Sequence, residues 1–141
     1  MTRIQFLHGA ADKFLAAVQW LALQNAQRSR TLVVLTEASA LDRFDQLLWS
    51  RPPTGFLAHC RLGAPLQSQT PIILTPHLDA TPDDLTVLNL DLEVPAGFER
   101  YQALVEIVSA DENDRQAGRK RFRYYRERGY QLDNTDISNG I

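Results

Sequence analysis

Between residues 115 and 128, Arg115, Arg119, Phe122, Arg123 and Arg126 recur at spacings of three and four. On a helix that spacing puts them on one face. Four cations so placed repel one another by roughly 0.2–0.5 kcal/mol per pair, and an anionic partner relieves the repulsion. Arginine, rather than lysine, offers forked N–H donors that match a carboxylate or phosphate. Phe122 adds an apolar contact. The chemistry these residues favour is recognition of a ligand that is acidic and also carries a hydrophobic group. The competing reading is a solvated face whose arginines pair with acids elsewhere on the body.

Other residue types that do chemistry lack the spacing for it. His59 and Cys60 are adjacent, so on an extended chain they point to opposite faces and make a poor base–nucleophile pair. A structural cysteine is the expected role of Cys60. His8 and His77 stand without a second ligand at metal spacing. Asp79, Asp83 and Asp84 sit among Pro76 and Pro82 as solvated loop acids with no partner base in view. The first strand-to-helix turn, residues 8–13, holds one glycine, Gly9, where dinucleotide and Walker phosphate loops need several. Lys13 therefore reads as part of a plain turn. No cofactor, metal or catalytic residue is expected.

A second feature lies in residues 48–56, Leu-Trp-Ser-Arg-Pro-Pro-Thr-Gly-Phe. Trp49 at a helix end and Phe56 beyond the turn are expected to lie close together. By residue type they pack on each other as core; the alternative is an exposed aromatic patch for a protein partner.

The elements that hold these residues alternate between strand and helix. Residues 3–7, 31–35, 71–74 and 86–90 read as strands, the run Thr31-Leu32-Val33-Val34-Leu35 as one buried on both faces. Residues 56–62 read as an edge strand or extended loop. Helices are expected over residues 11–28 and over the stretch carrying Leu41, Phe44 and Leu48. The second of these starts at a capping box around Ser39 and ends at Pro52 and Pro53. Phe98, Tyr101, Leu104, Val105 and Val108 mark a third helix, and residues 111–128 a fourth with Gly129 as its C′ residue. Residues 133–141 read as a flexible polar tail after a single domain, residues 1–132. The expected fold is α/β: one layered domain with a mostly parallel central sheet flanked by helices, Rossmann-like without a nucleotide site.

The whole chain of 141 residues is one domain's worth, 44% hydrophobic and 23% charged, which excludes disorder as its main state. One cysteine excludes a disulfide framework. No apolar run reaches the ~20 residues of a membrane span. The N-terminal apolar stretch is too short for a secretory signal, so the expectation is a soluble cytoplasmic protein. The net charge of −2 hides a division. Residues 115–128 carry seven bases and one acid, while the rest hold 16 acids and 8 bases. A basic working surface on an acidic body follows.

The stretch Leu41-Asp42-Arg43-Phe44-Asp45-Gln46-Leu47-Leu48-Trp49-Ser50-Arg51-Pro52, with Phe56 and His59 beyond it, resembles the chi subunit family of bacterial DNA polymerase III. So does the C-terminal pattern of Arg119, Arg121, Phe122, Tyr125, Arg126 and Gly129-Tyr130-Gln131-Leu132. The resemblance spans nearly the whole chain and is weakest over residues 61–90.

That resemblance implies a non-catalytic clamp-loader accessory that joins the psi subunit on one side. On the other it takes the acidic C-terminal tail of single-stranded-DNA-binding protein, which ends in an apolar residue with a free carboxylate. Carried over by position, Arg119 is the main carboxylate clamp. Arg115, Arg123 and Val108 surround it, and Phe122 lines the apolar pocket, where the family more often has Tyr. Trp49, Arg51 and Phe56 face psi, which favours the exposed-patch reading. Gly118, inside the helix, brings the partner's backbone close or loosens the helix locally. DNA is met only indirectly, and no membrane is involved. The alternative function is direct binding of single-stranded nucleic acid by the basic helix, with Phe122, Tyr124 and Tyr125 stacking on bases. The acidic body opposes that, because it repels a long polyanion more than a short peptide. A small α/β enzyme is the third class, and it lacks its motifs.

Overall fold

A computed structural model of the chain describes residues 1–50, 57–79 and 81–141. Seven strands and three α-helices alternate among the described residues: β1 (Arg3–Ala10), α1 (Lys13–Ala26), β2 (Thr31–Val34), α2 (Ala38–Ser50), β3 (His59–Arg61), β4 (Ile72–Thr75), β5 (Thr86–Asn89), β6 (Ala103–Ser109), α3 (Glu112–Glu127) and β7 (Leu132–Asp136). Every strand pairing is parallel, in the order β3-β4-β2-β5-β6-β1-β7. The Rossmann-like α/β architecture read from the alternation of elements is therefore the observed one.

Period-two alternation sorts the strand residues onto two faces. Val33, Leu74, Leu88, Val105 and Ile107 face α1 and α2. Leu32, Val34, Ile73, Val87 and Leu104 face the other side, where α3 packs with Phe98 and Tyr101. All four residues of β2 are buried, as a central strand covered on both faces requires. Helix α1 starts at Asp12, whose Oδ1 accepts the Leu15 N–H at 3.1 Å. Helix α2 starts at Ala38, one residue before the expected cap. Ser39 lies inside its first turn and donates to Glu37 Oε1 at 2.5 Å.

Two expectations are corrected. Leu104, Val105 and Val108 belong to β6, not to a helix, and Phe98 and Tyr101 precede it, Phe98 in a 3-10 turn. A strand buried on both faces is a continuous apolar run, and its apolar positions matched a helical period by accident of spacing. The stretch read as a flexible tail from residue 133 supplies β7. It pairs with β1 from Ile4↔Leu132 to His8↔Asp136, and the Ile137 N–H then donates to His8 O at 2.8 Å.

Helix α3 docks through an unusual set of side chains. Its buried residues are Asp114, Gly118, Arg121 and Tyr125, a stripe at helical spacing with one aromatic in it. Arg121 Nε donates to Glu106 Oε1 at 2.9 Å and Tyr125 Oη to Glu106 Oε2 at 2.6 Å. Asn89 Nδ2 reaches both carboxylate oxygens at 3.1 Å. Burial pushes the Glu106 carboxyl up, against the pull of Arg121 and of the Tyr125 and Asn89 donors. At the start of α3, Asp114 Oδ2 accepts the Ser109 N–H at 2.7 Å and Oδ1 accepts from Lys13 Nζ at 3.0 Å. Lys13 is thus spent on tying α1 to α3. The helix stops where expected, with Gly129 at φ +79° and its N–H on Arg126 O.

Candidate functional site

Because Arg121 and Tyr125 turn inward, the residues one step round the helix turn outward. Arg115, Arg119, Arg123 and Arg126 are exposed and Phe122 is half-buried. Helix α3 leaves uncovered part of the sheet face formed by β6, β1 and β7, and an open cleft of about 500 Å³ lies there. Its apolar floor is Phe6, Val108 and Phe122, with Gly118 between. The Phe122 and Phe6 rings meet edge to face, centroids 5.2 Å apart, which fixes Phe122 in place. Arg115 and Arg119 form the rim on the helix side.

Four of the five residues expected to receive an acidic tail, Val108, Arg115, Arg119 and Phe122, therefore line one cleft. Arg123 lies on the same helix outside that lining. The reading in which these arginines are consumed by acids fits only some of them. Arg121 is paired with buried Glu106, and Arg115 meets exposed Glu112 at 3.2 Å, a contact worth little. Arg126 lies over the Phe122 ring at 5.9 Å. Arg119 and Arg123 make no ion pair or side-chain hydrogen bond among the described residues. A carboxylate entering the cleft finds Arg119 uncommitted.

The far wall was not anticipated. His8, Asn134, Asp136 and Ser138 come from the end of β1 and from β7 onward. Asp136 accepts the Ser138 N–H at 2.8 Å, and that bond, with the Ser138 hydroxyl and nearby His8, holds its carboxyl below the ordinary range. Gly9, at φ +84°, adjoins this wall, and a Cβ there would lie 3.0 Å from Asp136 Oδ1. The cleft thus sets a cationic helix against an anionic strand.

Gly118, which lines the cleft, also has a packing role beyond the two readings made of it. A Cβ there would lie 2.8 Å from Val108 Cγ2, so the glycine lets α3 sit close on β6. The stacking trio of the nucleic-acid reading is broken up. Tyr125 is fully buried with its hydroxyl on Glu106, and Arg128 covers the Tyr124 ring at 3.6 Å.

At the opposite edge of the sheet, Trp49 is 58% exposed and touches the His59 ring, centroids 4.8 Å apart. The exposed-patch reading of Trp49 thus matches its position better than the core reading. Arg51 and Phe56, and the expected closeness of Phe56 to Trp49, lie outside the described residues. Cys60 is half-buried on β3. His8, His77 and the loop acids form no group able to hold a metal among the described residues. No described helix is long and apolar enough to cross a membrane.

Fold and cleft together define an all-parallel α/β domain with a basic, apolar-floored cleft over one end of its sheet. The family model described as "DNA polymerase III chi subunit, HolC" matches residues 1–133, and the chain belongs to that family. The chi subunit of Pseudomonas aeruginosa is 32% identical over 139 residues, 94% of each chain. That of Haemophilus influenzae is 28% identical over 104 residues, 72% of this chain and 71% of the relative. The chain is thereby placed among the replication accessory subunits of DNA polymerase III, with partners inside that complex. Among solved structures, the C-terminal domain of the DEAD-box protein Dbp5 aligns with 96% of this chain and 89% of its own. The TM-score is 0.63 at 12% identity, a likeness of fold alone. A C-terminal domain of S. cerevisiae Dbp5 bound to Gle1 and IP6 aligns at a TM-score of 0.61 and 11% identity, over 96% of this chain and 90% of that one.

Proposed function

We infer that this chi subunit is a non-catalytic cytoplasmic adaptor. It holds the psi subunit through Trp49, Arg51 and Phe56. Through the α3 cleft it holds the acidic C-terminal tail of single-stranded-DNA-binding protein. The observation that carries the tail reading is the uncommitted Arg119 guanidinium beside an apolar floor of Phe6, Val108 and Phe122. A chain terminus supplies the complement to both in one residue, a free carboxylate and an apolar side chain. Arg115 and Arg123 attract the acids upstream of it through a screened field. Asp136 and the acidic body weaken the case for a long polyanion, so DNA is met through the bound protein.

The test is a pair of titrations at equal ionic strength, one with a short acidic peptide ending in Phe, the other with oligo-dT. Saturable 1:1 binding of the peptide with weak or absent binding of oligo-dT is expected. The reverse order overturns the tail reading in favour of direct nucleic-acid binding. Co-purification of psi with wild type but not with Trp49→Ala tests the other face.

A further inference from the structure

An exposed tryptophan ordinarily turns between rotamers, yet Trp49 is backed by a chain of hydrogen-bonded groups. Its ring meets His59 edge to face at 4.8 Å. The His59 side chain is only 2% exposed, and both ring nitrogens meet acceptor oxygens. Nδ1 lies 2.8 Å from Leu57 O and Nε2 lies 2.8 Å from Asp45 Oδ1. The other oxygen of Asp45 accepts from Arg61 Nε at 3.0 Å, and Arg61 Nη2 donates to Asp42 Oδ1 at 2.8 Å.

The sequence positions explain why these groups meet. Asp42, Asp45 and Trp49 follow at intervals of three and four on α2, so they share one helix face. His59 and Arg61 are two apart on β3 and so project to the same side, toward that face. Asp45 is the shared node. It sits one helical turn from Trp49 and, among the described residues, is linked to it through His59.

Interfaces draw much of their affinity from a few large aromatic anchors, and an anchor already held in its bound orientation loses less entropy on docking. We propose that Asp45 is a positioning residue: through His59 it fixes the orientation of the Trp49 ring at the surface, so that the ring is ready for a protein partner. Asp45 does not itself touch that partner. The identity of the partner rests on the psi reading above; the ordering of the ring does not.

The chain has two tryptophans, and Trp20 is buried in the core. In a Trp20→Phe background, time-resolved fluorescence anisotropy reports Trp49 alone, on the nanosecond scale of side-chain motion. Asp45→Ala is expected to raise the amplitude of fast local depolarisation at least about twofold at a temperature well below unfolding. Asp45→Asn keeps an acceptor for His59 Nε2 and should stay near wild type. Affinity for psi should fall about two- to tenfold in Asp45→Ala, the range expected for one side chain losing its pre-ordering. Affinity for the acidic tail peptide should not change. A residue that only stabilised the fold would lower the melting temperature and leave the depolarisation of the folded chain as it was. Should Asp45→Ala fail to fold, His59→Gln carries the same expectation for the ring.

Wild-type anisotropy in Asp45→Ala, or in His59→Gln where that stands in, overturns the proposal. Trp49→Ala binding psi as wild type does overturns the psi reading instead, and the anisotropy then decides the ordering role alone.

Discussion

Gly118 lies directly against Val108: a Cβ on the glycine would sit 2.8 Å and 2.9 Å from the two methyl carbons of the valine. Glycine inside a helix costs about 1 kcal/mol relative to alanine, so its place at the centre of α3 needs a reason, and the close approach to β6 supplies one. Gly118→Ala gains helix propensity but overpacks this contact, and a net loss of about 1–3 kcal/mol is expected in urea unfolding. Val108→Ala makes room for the new methyl, so the double variant should lose less than the sum of the single ones. Additive losses would show that the contact does not limit the spacing of α3 and β6.

Arg119 and Arg121 are two residues apart and opposite in role. Arg121→Ala strands the buried Glu106 carboxylate and should cost about 3–5 kcal/mol. Arg119→Ala removes an exposed side chain that makes no ion pair or side-chain hydrogen bond among the described residues, and should stay within about 0.5 kcal/mol of wild type. Denaturant midpoints of the two variants, measured together, check both values. A large loss for Arg119→Ala would mean that the residue holds the fold and not a ligand.

Asp114 links stability to acid. Burial alone would raise its carboxyl; the Ser109 N–H and the Lys13 ammonium outweigh that, and the net shift is downward. A carboxyl depressed in the folded chain contributes stability above its unfolded value, near 3.9, and that contribution is lost as pH falls through the folded value. Asp114→Asn should therefore be less stable than wild type at pH 7, by about 1.5–3 kcal/mol for bonds to a charged group. The difference should close toward pH 2. Urea midpoints taken across pH 2–7 give the curve, and a difference independent of pH would assign the loss to packing.

Strand β7 makes a prediction about backbone protection. The N–H of Ile137, four residues before Ile141, donates to His8 O. A frayed tail would exchange that amide within the dead time, whereas a paired one should be slowed by several orders of magnitude in native-state hydrogen exchange. Unprotected amides from residue 133 onward would return this segment to the tail expected from its polarity.

The sequence signals that succeeded and those that failed differ in where the stabilising contact lies. Thr31–Val34 and Ile72–Thr75 carry their apolar character on their own residues, and both read correctly as strands. Leu132–Asp136 does not, since its pairing with β1 runs through the backbone and its side chains are mostly exposed. The far wall of the cleft, built on this strand, was lost with it. Arg121 and Arg119 look alike in sequence, because what buries one of them is Glu106, fifteen residues away on another element. The outward face of α3 was legible because like charges at helical spacing need no distant partner to be noticed. The face it buries, Asp114, Gly118, Arg121 and Tyr125, was hidden by its polarity.

The last prediction concerns the contact between Arg119 and a terminal carboxylate. Removing one partner of a charge-assisted hydrogen bond costs about 1.5–3 kcal/mol, or roughly 10- to 150-fold in affinity for an acidic peptide ending in Phe. Arg119→Ala should show that loss. The wild-type protein with the C-terminally amidated peptide should show a similar one, because amidation deletes the other half of the contact. Arg119→Ala with the amidated peptide should then be little worse than either alone, since groups in direct contact are non-additive. Arg115→Ala and Arg123→Ala act through a screened field, so their smaller losses should shrink further as salt is raised. Phe122→Ala removes apolar burial and should weaken binding with an unchanged salt dependence. Calorimetric titrations over the four protein–peptide combinations decide the central point. If the two losses add, Arg119 does not meet the carboxylate, and the terminal residue of the peptide sits elsewhere on the cleft.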